Sequence, residues 1–261
     1  ASVLARFELA AQLSLGAGAF VSACADDFSQ SEWLIYVNSV SRFFPEGVVG
    51  LAYAQRVPRS GLDELEQHVR AQGQPAFSVQ RTGSGPWAYV VTHIEPLQTS
   101  AAALGLDFMS GTGRRARAAE RALESGGLAL TEKINLFVNG GEVPGFLLFA
   151  PVYGAGTALS EAMARRAGLR GWAFVILRTD ALLAGLAEAS GGQIDFAAFE
   201  GNSVQSDRLL DFRDSSAPAK GRTWAAAEGG FRGRTRSLKI PLNLYGHPWT
   251  VWVVSTPKFD A

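Results

Sequence analysis

The sequence predicts an α+β fold: a long N-terminal helix followed by two domains built on antiparallel sheets. Three observations carry this. Residues 1–44 contain no proline and place Trp33, Val37, Val40 and Phe44 at i, i+4, i+7 and i+11, one apolar stripe of a helix. Beyond Pro45, short apolar or alternating runs are separated by Gly- and Pro-containing turns, the mark of strands. These runs mix with short amphipathic helices, and each half of the chain shows strands, an intervening short helix and a final pair of strands. The mixture indicates α+β rather than a doubly wound parallel sheet. The halves share a plan but no letter-level repeat.

Taken in order, Gly16 and Gly18 weaken the first helix locally, and Pro45 with Gly47 stops it. Two readings stand for this segment: a core helix broken near the glycines, or a stalk that holds the domain away from something. Val48 to Val57 reads as a strand, and Gly61 to Gln72 as a helix with Leu62, Leu65 and Val69 on one side. Ala76 to Gln80 and Trp87 to Ile94 read as strands around a Gly-Pro turn. A short helix leads to Gly105, and the elbow Ser110-Gly111-Thr112-Gly113 opens a helix with Thr112 as its N-cap. Two apolar strands follow, up to Tyr153. Residues 154–171 form a mixed connection between the halves. Trp172 to Leu177 is a continuous apolar strand, and Thr179-Asp180 starts a helix. Gln193 to Glu200 alternates as a strand does. Residues 214–230, rich in Ala, Ser and Gly, read as a loop. Leu238, Ile240, Leu242 and Leu244 alternate, and Tyr245-Gly246-His247-Pro248 turns them into a terminal hairpin with Trp249, Val251 and Val253.

Composition narrows the function. Lys plus Arg number 24 and Asp plus Glu number 24, so the chain has no basic excess and nucleic acid is not expected as a partner. Cys24 is the single cysteine, so no internal disulfide forms. The uncharged run Leu9 to Ala25 is rich in Ala, Gly and Ser and falls short of the roughly 20 apolar residues a spanning helix needs. No signal peptide is visible. His68, His93 and His247 show no HxxH, HExxH or CxxC spacing, so neither metal nor cofactor is expected. No GxSxG elbow is present, and no acid pair announces a hydrolase.

The helix after the elbow carries the chemistry. At about 100° per residue, Ala116, Ala119, Ala122 and Leu123 cluster on one face. Arg114, Arg117 and Arg121 lie opposite with Glu120 and Glu124, a solvated face. Arg115 falls near the middle of the apolar face and at the helix N-terminus, where burial and the dipole both disfavour a cation. Something must compensate it: an acid such as Asp107 or Glu132, exposure by fraying, or a ligand carboxylate or phosphate that suits its fork of donors. Strand aromatics including Tyr53, Tyr89, Phe137, Phe146 and Phe149 are core candidates. Alternation puts Leu147 and Phe149 on one face, where a single set of residues can serve both core and pocket.

Several motifs, in order and spacing, resemble the CHASE domains. They are F-P-x-G-V-x-G-L-x-Y at 44–53, HIEP at 93–96, GLDFMS at 105–110, LALTEKINL at 128–136, GFLLFAPVY at 145–153 and GWAFVILRTDALL at 171–183. The resemblance implies an extracytoplasmic sensor module, the periplasmic or extracellular portion of a membrane-bound histidine kinase or nucleotide or diguanylate cyclase. It implies a stalk helix at 1–45, a membrane-distal PAS-like ligand-binding domain at 46–160 and a membrane-proximal PAS-like domain at 161–261. Transmembrane helices would flank these residues, and a homodimer would form through the N-terminal helix. The plant members bind cytokinins and place an acid where Arg115 stands here. Phe149 replaces a small hydroxyl residue of those receptors, whereas Thr131 matches theirs. The implied site is therefore Arg115, Thr131, Phe149, Phe108, Phe137, Leu147 and Tyr89, around a small ligand of changed, anionic chemistry. The chain itself is expected to be non-catalytic. The alternative is a sensor that acts through a protein partner or dimerisation without a small molecule.

Overall fold

The structure is a computed structural model that describes residues 3–260 apart from 25–27, 98–100, 110–112, 139, 185–190 and 217–222. Its larger sheet contains β1 (Val48–Pro58), β2 (Trp87–Glu95), β3 (Ala129–Leu130), β4 (Ile134–Val138), β5 (Gly141–Tyr153) and β6 (Leu169–Arg178). The order is β2-β1-β6-β5-β3, with β4 also pairing β5, and every pairing is antiparallel. The continuous apolar sequence of β5 and β6 has a direct cause, since both faces are covered. Leu147, Phe149, Trp172, Phe174 and Ile176 point to one side. Phe146, Leu148, Ala173, Val175 and Leu177 point to the other. Burying one such Leu or Phe contributes roughly 1.5–3 kcal/mol. The strand over 169–178 lies between β1 and β5 in the first sheet, because a run apolar on both faces belongs in a sheet interior.

The expected long helix is two helices, α1 (Val3–Ala23) and α2 (Gln30–Ser41). The break falls after the glycines rather than at them. Ser29 starts α2 with a reciprocal capping box to Glu32. Nor does α1 stand clear as a stalk. Its small residues Ala10, Ser14, Ala17 and Gly18 are buried and let it lie close against β5 and β6. A Cβ at Gly18 would stand 3.5 Å from Val152, and the Ser14 hydroxyl donates to the Leu148 carbonyl at 3.0 Å. Of the two readings of this segment, packing as a core helix is the one these contacts support: the small-residue face is a packing face.

The smaller sheet is built from β7 (Ile194–Glu200), β8 (Leu209–Arg213), β9 (Ser237–Leu244) and β10 (His247–Ser255), in the order β8-β7-β10-β9. One face joins the core under α1, where Phe7 meets Trp249 edge-on at 5.6 Å. The other face holds a helix over Trp224–Arg232 that the sequence reading took as loop. Thr223 caps it, and Trp224, Ala227 and Phe231 form a buried stripe at i, i+3 and i+7. The remaining helices used below are α3 (Leu62–Ala71), α4 (Arg114–Ser125), α5 (Ala162–Gly168) and α6 (Thr179–Leu183). Ala76 to Gln80 is not a strand; Gln80 makes a single bridge to Leu106. Among the described residues, no helix is long and apolar enough to cross a membrane.

Candidate functional site

Helix α4 crosses the face of the larger sheet that carries Phe149 and Phe174. Ala118, Ala119, Ala122 and Leu123 make that contact, and Gly126 ends the helix in the left-handed conformation. The N-cap position belongs to Gly113, without a side-chain cap, in place of the expected Thr112. Residues 110–112 of the elbow lie outside the described residues.

The segment before the helix is pinned to β2. Gly105 has φ +80°, and a side chain there would run into the Ser78 carbonyl. Gly105 N donates to Val91 O at 2.8 Å, Gln80 N donates to Gly105 O at 2.9 Å, and Phe108 N donates to Tyr89 O at 3.2 Å. Asp107, 1% exposed, accepts from Arg59 at 2.7 Å and from Tyr89 N at 3.0 Å. These bonds deliver Leu106 and Phe108 to a cavity of about 380 Å³. Gln80, Val91, Ile94, Ala102, Ala103, Leu106, Phe108, Arg115, Leu136, Phe137, Leu147, Phe174 and Ile176 line it. A polar vestibule of about 500 Å³ shares Leu106, Phe108, Arg115 and Phe137 with the chamber and adds Asp107, Arg114 and Asn135.

Arg115 therefore stands at the junction of an apolar chamber and a polar mouth. Its Nη2 donates to Asn135 O at 3.1 Å. Among the described residues it meets no carboxylate, and burial pushes its pKa down. The two acids expected to compensate it are engaged elsewhere. Asp107 holds Arg59, while Glu132 pairs with Arg114 at 3.3 Å and Arg117 at 2.7 Å. Arg121, expected in solvent, is half-buried and donates to Leu130 O at 2.7 Å.

Four of the seven expected site residues meet at this chamber: Arg115, Phe108, Phe137 and Leu147. Phe137 is 53% exposed at the mouth. The other three do not line it. Phe149 is fully buried behind Phe108, stacked at 5.2 Å. Thr131 is buried, and its hydroxyl accepts from Leu147 N at 3.0 Å. Tyr89 packs edge-on to Trp172 at 4.9 Å. Of the lining residues that sequence reasoning missed, Phe174 and Ile176 were within reach. They pair directly with Phe149 and Leu147, and alternation places them on the same face. Ala102, Ala103 and Gln80 carry no comparable signal.

A second, larger cavity of about 580 Å³ lies between α3 and the α5–β6 joint. Its cations are committed to main-chain carbonyls: Arg56 to Arg166 O at 2.9 Å and Arg170 to Val21 O at 3.3 Å. Among the described residues, no group of three or more His, Cys, Asp or Glu is placed to hold a metal ion.

The CHASE domain family matches residues 26–210. Comparison with curated proteins gives no match. Among solved structures, an extracellular ligand binding receptor from Desulfohalobium retbaense superposes with a TM-score of 0.56 and 12% identity over 96% of this chain. The chain spans 37% of that receptor's length. The periplasmic sensory domain of the Campylobacter jejuni chemoreceptor Tlp1 superposes with a TM-score of 0.54 and 10% identity, over 98% of this chain and 89% of that one. At these identities the likeness is one of fold: a PAS-like arrangement of two antiparallel sheets behind an N-terminal helix.

Proposed function

Because the chain belongs to the CHASE domain family, a sensor domain of histidine kinases and cyclases, we propose that it binds a small anionic ligand in the chamber beside α4. It is the periplasmic sensor portion of a membrane receptor, and sensor domains of this kind bind ligands without catalysis. The output domain of the full-length receptor is proposed to be a kinase or a diguanylate cyclase. The large lobe is proposed to face away from the membrane and the small lobe to lie next to it, with membrane-spanning helices on either side. The receptor is proposed to act as a homodimer through α1.

One observation carries the ligand reading: a partly buried guanidinium opens on an apolar chamber, and among the described residues no carboxylate neutralises it. The charge inversion at Arg115 argues against an adenine-type hormone held as in the plant relatives. The site is proposed as Arg115, Phe108, Phe137 and Leu147 in contact with ligand, with Phe149, Thr131 and Tyr89 supporting the wall. Binding shifts the receptor only through its different affinity for two states.

The test is a thermal-shift screen of carboxylates, nucleobases and phosphates against the purified chain. A ligand present at 100 times its Kd stabilises the native state by about 2.7 kcal/mol. The same compound should lose its effect on Leu147→Trp, which fills the chamber, and on Ala103→Trp, at its partly buried rim. An undiminished shift in both folded variants rules out this chamber.

A further inference from the structure

We propose that the ligand is a hydrophobic monocarboxylate, an aryl- or alkyl-carboxylic acid whose apolar body fills the chamber and whose carboxylate meets Arg115. This rests on the chamber being the sensing site and narrows what it accepts. Apart from Gln80 and Arg115, every described side chain lining the chamber is apolar, including Ile94, Leu136, Leu147 and Phe174. Such a wall favours a hydrocarbon or aromatic body. Arg115, the single cation lining the chamber among the described residues, sets the charge at one. A guanidinium matches one carboxylate with two parallel hydrogen bonds. A second anionic group inside the chamber would be desolvated without a partner, because no cation other than Arg115 lines it among the described residues.

The same inventory excludes amino acids. No Asp or Glu lines the chamber among the described residues to receive an α-ammonium group. Asp107, the one acid of the vestibule among the described residues, is held by Arg59 and by Tyr89 N. A neutral ligand fits the walls but leaves Arg115 partly desolvated without a counter-charge. An acid removes that cost, so the charge on the ligand contributes to affinity rather than opposing it.

The experiment is calorimetric titration of the chain with phenylacetate and octanoate. Phenylacetamide, L-phenylalanine and phenylsuccinate serve as matched neutral, zwitterionic and dianionic probes. The expected result is that phenylacetate or octanoate binds, and that the acid exceeds its amide by roughly tenfold or more, the scale of a charge-assisted pair. Phenylalanine and phenylsuccinate should bind more weakly than phenylacetate by a similar factor. Arg115→Gln should abolish the preference of acid over amide, and Arg115→Lys should restore part of it. Equal affinity for acid and amide, blocked by Ala103→Trp, overturns the carboxylate and leaves the chamber standing. Acid binding untouched by both Ala103→Trp and Arg115→Gln overturns the chamber as well. Failure of both acids to bind at millimolar concentration overturns the class.

Discussion

Asp107 fixes the edge of the chamber. Its carboxylate is buried and satisfies two donors at once, the Arg59 guanidinium and the Tyr89 N–H. Losing one member of a buried pair costs roughly 3–5 kcal/mol when the orphaned charge stays buried. Arg59 is 22% exposed and recovers part of its hydration, so Asp107→Ala is expected to cost about 2–3 kcal/mol. Asp107→Asn, which keeps an acceptor for Tyr89 N–H, should cost less. Urea unfolding of both variants checks this, and a loss below about 0.5 kcal/mol for the alanine variant contradicts the role. At this scale the sequence was informative where angle alone decides. The helical periodicity that separated Arg115 from Arg114 and Arg117 holds in the structure, since only Arg115 of the three reaches the apolar chamber. Periodicity did not show depth. Phe149 and Thr131 share the right strand region but lie one layer behind the wall, because Phe108 covers one and a main-chain bond occupies the other.

Helix α1 has two faces of different use. The inner face is small and packs on the sheet; Leu4, Leu9 and Leu15 are exposed on the outside, and Leu34 and Ile35 of α2 are exposed as well. Leu4 and Leu15 stand eleven residues apart and so share a stripe at helical spacing. A second copy of the chain is the proposed occupant. The double variant Leu4→Glu, Leu15→Glu is expected to convert a dimer into a monomer in sedimentation equilibrium while keeping the melting temperature of the dilute protein. A wild-type chain that is already monomeric at high concentration, or a variant that remains dimeric, sinks this proposal. Elements with strong local signals were legible: β1, α3, β2, the β9–β10 hairpin and the arginine-rich helix. The helix at 224–232 was not, because Gly229 and Gly230 and the Ala-rich start read as loop until the Trp224–Ala227–Phe231 stripe is seen against β7 and β10. The break between α1 and α2 was misplaced for the opposite reason. Gly16 and Gly18 weaken a helix in isolation, but packing against β5 and β6 overrides that preference.

The two lobes share one core under α1, and a polar clamp joins them beside the chamber. Arg114 donates to Lys133 O at 2.5 Å, and Arg117 meets Glu132 at 2.7 Å, so the start of α4 grips the segment between β3 and β4. Lys133 N in turn donates to Glu200 at 2.6 Å, Lys133 Nζ to Leu209 O at 3.0 Å, and His247 meets the same Glu200 oxygen at 2.8 Å. This boundary between lobes was hidden in the sequence because it depends on long-range pairing: β6 returns to the first sheet and only then does the small lobe begin. The clamp gives ligand binding a physical route to β7 and β10, although adjacency alone is not coupling. Burial acts to raise the Glu200 pKa, but the His247 hydrogen bond and the Lys133 N–H outweigh it, and the net shift is downward. A carboxylate with a depressed folded pKa stabilises the native state above its unfolded pKa of about 4.3 and loses that contribution as pH falls through the folded value. Between neutral pH and about pH 5 the clamp should therefore hold, and it should release only in stronger acid. Hydrogen exchange at neutral pH offers the decisive measurement. A ligand bound beside Arg115 should slow amide exchange in β7 and β10 of the native chain. In Glu200→Ala the chamber should bind as before, with the protection confined to the large lobe. Equal protection of β7 and β10 in that variant would show that the lobes communicate through the α1 core instead.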